Sequence, residues 1–223
     1  INGMGIIYNV PKNNISDFMT AHQKKLVFNF PYHKVGNIKE TDEEKNAENA
    51  FSISHIEPYS MNKPALGLDV GSEIKRRQAA EKSRDLGKAV MTDIIQLVQD
   101  EGKTPGFLLY VPFYKNEITQ DTLEWRQKNH IGWVYAPSVT RKFLSGVLGS
   151  NSSILDLMVF DGEQPTLDRM TYSTAKLDHQ NFIDKIISDK RSKVKKIQLG
   201  ERTFTVIVSK NAQYIPPTDY TVG

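Results

Sequence analysis

Cysteine is absent from all 223 residues. Disulfides, thiolate zinc sites and thiol nucleophiles are therefore excluded, while the compartment stays open, because cytosolic chains and periplasmic domains alike do without the residue. No apolar run approaches the roughly 18–20 residues that cross a bilayer, and no secretory leader is visible. Neither sign of charge is in excess: 29 basic against 26 acidic residues leave a net charge of +3, too balanced to point to nucleic acid. The signatures Gly-x-x-x-x-Gly-Lys-Ser/Thr, Gly-x-Gly-x-x-Gly and Gly-x-Ser-x-Gly are missing. His22, His33, His55, His130 and His179 include no pair at helical metal-ligand spacing, so no metal site, no cofactor and no catalytic constellation is expected.

What is present is an ordinary globular composition, 39% hydrophobic and 25% charged. That excludes wholesale disorder and gives enough chain for one large domain or two small ones. The sequence opens "INGMGIIYNV" and stops at "PPTDYTVG"; both ends read as cuts from a longer chain, with room for a membrane anchor outside it.

Strands are expected at Gly3–Pro11, around Phe51–His55 with one face buried, at Ala89–Gln99, Gly106–Tyr114 and His130–Ser138. Helical spacing follows the first strand at Ile15, Phe18, Met19 and His22, with Asn13 or Asn14 as a cap. Residues 36–49 read as an exposed loop or short solvated helix, and 115–129 as a polar connection. The clearest helix is 73–86, with Ser72 as N-cap and Gly87 at the C′ position. Its narrow apolar side, Ile74, Ala79, Ala80, Ser83 and Leu86, suits close packing on a sheet, and Lys75-Arg76-Arg77 reads as its solvated face.

From Ser138 an amphipathic helix is expected, with Val139, Phe143, Leu144, Val147 and Leu148 on one side. A second strand set follows, with a helix at 176–195 carrying Phe182, Ile183, Ile186 and Ile187. The set ends in a hairpin turning near Gly200-Glu201. The basic tract Asp189–Lys196 reads as a solvated loop, with membrane-surface contact as the second reading. Short links favour antiparallel pairing, hence an α+β fold of two tandem units, 1–137 and 138–223.

Asp69 stands where an apolar strand ends. Three roles fit it: starting the next helix through an Asx turn, gripping a ligand, or acid–base chemistry, for which no second titratable partner lies nearby in sequence. Phe107, Tyr110, Phe113 and Tyr114 alternate along a strand, as core residues do and as pocket walls also do.

In order along nearly the whole chain, several blocks resemble the CHASE domain, the extracytoplasmic sensor module of bacterial receptors and plant cytokinin-receptor kinases. They are "GIIYNVPKNNISDFMTAH", "ISHIEPYSMNKPALGLDVGSEIKRRQAAEKSRDLGKAVMT", "GFLLYVPFY", "GWVYAPS" and "LGERTFTVIV". The resemblance implies two tandem PAS-like units, one membrane-distal and one membrane-proximal. A long N-terminal helix usually precedes them and is missing here; a transmembrane helix would flank each side. In the plant receptors an Asp of the "L-D" step and the backbone of a "G-K-A-V" strand hold an adenine-type hormone, and these map to Asp69 and Met91. Thr92, Gln96 and Tyr110 are added as expected pocket walls. Leu86 stands where those receptors have Thr, so the implied ligand is an unspecified small molecule or peptide rather than a cytokinin.

The leading expectation is thus the periplasmic or extracellular part of an inner-membrane receptor, homodimeric at full length and without nucleic-acid partners. Its output would be a two-component kinase or a nucleotide cyclase such as a diguanylate cyclase. The alternative is a stand-alone hydrolase using Asp69 with a distant His. A third reading is a dimerisation module that binds nothing.

Overall fold

The computed structural model describes residues 2–26, 30–36, 41–98, 105–115, 121–148, 154–175 and 180–211. The fold is α+β, in two compact units: residues 1–143 with 199–201, and residues 144–198 with 202–223.

The first unit carries strands β1 (Met4–Pro11), β2 (His33–Lys34), β3 (Asn49–Glu57), β4 (Leu68–Asp69), β5 (Val90–Met91), β6 (Ile95–Gln96), β7 (Pro105–Tyr114) and β8 (His130–Val139). They form one sheet in the order β2-β4-β3-β1-β8-β7-β5, with β6 also against β7. Every described pair is antiparallel except β2 with β4. The helices are α1 (Ile15–Leu26), α2 (Asp42–Asn46), α3 (Tyr59–Asn62), α4 (Ile74–Leu86) and α5 (Leu123–Asn129). Aromatic and β-branched side chains of the central strands meet in one core around Ile7, Phe51, Ile53, Tyr110 and Trp133. Burying such a side chain contributes roughly 1.5–3 kcal/mol.

Helix α4 lies on this sheet because its inward residues are small: Ala79, Ala80 and Ser83 are buried. The Trp133 indole N–H donates to the Ala80 carbonyl at 2.9 Å, and Ser83 Oγ lies 2.8 Å from the Lys88 carbonyl and 3.2 Å from that of Tyr110. Gly87 ends the helix at φ 65°, a left-handed conformation that suits glycine.

The second unit has α6 (Thr140–Leu148), β9 (Leu155–Asp161), β10 (Met170–Ser173), α7 (Gln180–Ser188), β11 (Lys193–Leu199) and β12 (Arg202–Lys210), with α6 beginning just inside the first. Its sheet runs β10-β9-β12-β11. Met158, Phe160, Ile183 and Ile207 form its sealed core. The hairpin turns where expected, with both Gly200 and Glu201 at positive φ.

Several local expectations change. Glu73, not Ser72, caps α4; the Ser72 hydroxyl instead donates to the Asp69 carbonyl at 2.6 Å and accepts the Val35 N–H at 2.9 Å. Only Lys75 of the basic triplet is solvated, since Arg76 and Arg77 are buried. Leu86 is exposed and Ile74 half-buried. Residues 89–99 give two short strands, β5 and β6, rather than one. Strand β3 is buried on both faces, Ser52 and Ser54 included. The 115–129 connection holds a helix, α5, whereas at 42–46 the short helix that is one of the two readings of 36–49 does form, as α2. Val139 closes β8 rather than joining the following helix, and on α7 Phe182 and Ile187 are exposed while Ile183 is sealed.

Candidate functional site

Strand β4 stops because the Asp69 side chain captures the backbone that follows. Its Oδ1 accepts the Gly71 N–H at 2.9 Å, closing an Asx turn, and also the Phe51 N–H of β3 at 2.8 Å. Its Oδ2 accepts the Tyr32 hydroxyl at 2.9 Å. Asp69 is buried. Three donors occupy three of the roughly four lone-pair sites of a carboxylate.

The turn delivers Glu73 and the two arginines. The Glu73 carboxylate accepts the N–H groups of Lys75 and Arg76 at 3.1 and 3.2 Å, and the Arg76 guanidinium at 2.9 Å. The other end of that guanidinium donates to the Gln96 carbonyl at 2.6 Å, tying α4 to β6. Arg77 donates to the carbonyls of Gly71 and Asn49 at 2.7 and 2.9 Å, pairs with Glu81 at 3.1 Å, and stacks 4.3 Å from the Phe51 ring centroid. Gly71 has no side chain because a Cβ there would lie 2.7 Å from this guanidinium.

On the facing strands, Tyr110 and Tyr135 are in register across β7 and β8. Both are buried, and neither hydroxyl has a hydrogen-bond partner among the described residues. Burial pushes both phenols well above their ordinary range. Arg76 opposes the shift of Tyr110, Glu73 and Asp69 add to it, and Tyr110 adds to that of Tyr135. Both therefore remain neutral hydroxyls at physiological pH.

A cleft of about 570 Å³ opens beside α4, walled by Glu73, Lys75, Arg76, Val35 and the run Ile94–Val98. A cavity of about 10 Å³ lies next to it, lined by Arg76, Tyr135, Leu97, Val98, Leu108 and Val70 among others. Arg76, Leu97 and Val98 belong to both.

The residues expected from sequence fall into two groups. Tyr110 feels the charges of Asp69, Glu73 and Arg76, and Gln96 lines the cleft. Thr92 and Met91 are buried where β5 meets β7: the Thr92 N–H donates to the Leu108 carbonyl at 2.9 Å, its Oγ1 accepts the Leu108 N–H at 3.0 Å, and Met91 pairs with Leu109. Sequence reading passed over Glu73, Arg76, Arg77 and Tyr135. For Arg76 the signal existed, since it is spaced four and seven residues from Ala80 and Ser83 on one helix face.

None of the described histidines bonds Asp69: His22 meets Phe18, His33 meets Pro31 and Pro64, His55 meets Glu57, and His130 meets Asn9. His179 lies outside the described residues. Among the described residues no group of three or more His, Asp or Glu is placed to hold a metal ion.

A family model described as the CHASE domain matches residues 1–172 of the chain. No curated protein matches it.

Proposed function

The chain belongs to the CHASE domain family of extracytoplasmic sensor domains, and from that membership we propose that it is the ligand-sensing ectodomain of a bacterial transmembrane receptor. The first unit is the membrane-distal, PAS-like unit and takes a small molecule or peptide. The second is the membrane-proximal PAS-like unit, joined to helices that reach a cytoplasmic kinase or nucleotide cyclase. In the full receptor the domain works as a homodimer. No helix among the described residues is long and apolar enough to cross a membrane, so in this reading the anchoring helices flank the domain.

One observation supports the placement of the ligand: a buried polar cluster with two hydroxyls that have no partner among the described residues, beside a cleft whose volume is in the range of small-molecule sites. The proposed contacts are Gln96 and Arg76, which line the cleft, and Tyr110 from the buried polar cluster. Asp69 is proposed to contribute through the lone pair its three donors leave open, and Met91 of β5 with the adjoining Thr92 is proposed as a further wall, outside the lining of the cleft itself.

Thermal-shift screening of a chemically diverse small-molecule library tests the reading. Compounds that raise the melting temperature of the wild type, and raise it less for Gln96→Ala and Asp69→Asn, are the expected result. A library without stabilising compounds, or with compounds indifferent to every one of these substitutions, sinks it.

A further inference from the structure

The polar shell of the site is closed in charge and open in hydrogen bonding. Its buried ions balance, Asp69 and Glu73 against Arg76 and Arg77. Each of them already has direct partners. What remains unmet is neutral or donor-only. The Tyr110 and Tyr135 hydroxyls have no partner among the described residues. Arg76 uses one N–H on Glu73 and one on the Gln96 carbonyl, and its other N–H donors find no acceptor among the described residues.

We infer that the ligand of this site is uncharged and presents a carbonyl-type acceptor oxygen to Tyr135 and Arg76, with its apolar body laid along Ile95, Leu97 and Val98. This inference rests on the sensor reading above and names the ligand chemistry of that same site. The cavity beside Tyr135 measures about 10 Å³, room for a single oxygen-sized group. The adjoining cleft measures about 570 Å³, room for the rest of a small molecule. The walls the two share, Arg76, Leu97 and Val98, make one ligand spanning both spaces the economical solution.

Charge selection follows from the same balance. Among the described residues the one charged wall of the small cavity is Arg76, already paired with Glu73, so a carboxylate seated there would compete with Glu73 and an ammonium would meet a guanidinium. Either ion would enter that cavity without a free counter-charge, since Lys75 stands exposed on the wall of the cleft and not in the cavity, and desolvation makes such an entry unfavourable. An amide or ketone oxygen carries no such penalty and accepts what Tyr135 and Arg76 offer. Because burial keeps both phenols protonated, they remain donors at neutral pH.

Isothermal titration of the whole domain with matched triplets, benzamide, benzoate and benzylamine, then hexanamide, hexanoate and hexylamine, tests this. The amides are expected to bind, with the charged members at least about tenfold weaker. Tyr135→Phe should weaken amide binding about five- to tenfold, the loss of one hydrogen bond. Tighter binding of an anion or cation, equal binding across a triplet, no binding of either amide at millimolar concentration, or a Tyr135→Phe variant that binds amides as the wild type does, overturns the inference. Failure here is separable from failure of the sensor reading. A library screen whose hits are all charged removes the uncharged ligand and leaves the sensor, whereas a screen without hits removes the sensor itself.

Discussion

Tyr110 and Tyr135 face each other directly across β7 and β8, both buried and both with hydroxyls that no described protein group satisfies. A protein optimised only for stability would place phenylalanine at both positions, because an unsatisfied buried hydroxyl costs about 1–3 kcal/mol. Tyr110→Phe and Tyr135→Phe should therefore leave stability unchanged or raise it by about 1 kcal/mol each, as read from urea unfolding. A loss above about 2 kcal/mol in either variant would mean that the hydroxyl is already well bonded in the unliganded protein, and the site would lose its unmet donors.

Asp69 separates its structural work from any ligand contact by substitution. Asp69→Ala strands the buried N–H groups of Phe51 and Gly71, and should cost about 3–5 kcal/mol. Asp69→Asn keeps an acceptor for the two backbone donors and should cost about 1–2 kcal/mol. Equal losses in the two variants would show that the turn does not depend on the side-chain oxygen.

The Glu73–Arg76 pair, at 2.9 Å and with both side chains under a tenth exposed, should behave as a buried ion pair. Arg76→Met leaves the Glu73 carboxylate buried without its counter-ion and should lose about 3–5 kcal/mol. Adding Glu73→Gln should return a large part of that loss, because glutamine still caps α4 without carrying charge. Additive losses in this double-mutant cycle would contradict the pairing.

The fold was legible where the signal is local. Short apolar and aromatic runs located β1, β7 and β8, the small residues of α4 announced a helix lying close on a sheet, and Gly87 and Gly200 marked their turns. The site was legible only in part, because its partners are distant in sequence. Asp69 is held by Phe51 and Tyr32, 18 and 37 positions away, and Tyr135 meets Tyr110 only through the β7–β8 register. Arg76 and Arg77 were read as solvated because charge normally is. Their burial depends on acceptors that the turn at Val70–Ser72, strand β6 and strand β3 provide, which no helical period records.

Gly71 tests how tightly that turn is packed. A Cβ there would lie 2.7 Å from Arg77 Nη2 and 2.9 Å from the Phe51 ring, so Gly71→Ala should cost about 1–3 kcal/mol through overpacking. In an Arg77→Met background the guanidinium contact is gone, and the same substitution should cost less. Denaturation of the four proteins of this cycle measures the coupling, and a loss independent of Arg77 would place the strain in the backbone or against Phe51.

His130 gives the domain an acid-sensitive element. Burial first, and the Arg84 charge second, hold its imidazole down to about 4 in the folded protein against an ordinary 6.5. Between those values the unfolded chain binds the proton that the folded chain refuses, so stability rises with pH. The contribution is fully present above about pH 6.5 and is lost as pH falls toward 4, by up to about 3 kcal/mol. His130→Phe removes the titrating group, also removing the acceptor that Asn9 uses at 3.3 Å, so its stability should be lower in level and flatter in slope. Urea midpoints of both proteins at intervals from pH 4 to 7 decide the matter, since level and slope separate packing from protonation. Parallel curves for wild type and His130→Phe would assign the acid sensitivity to other groups.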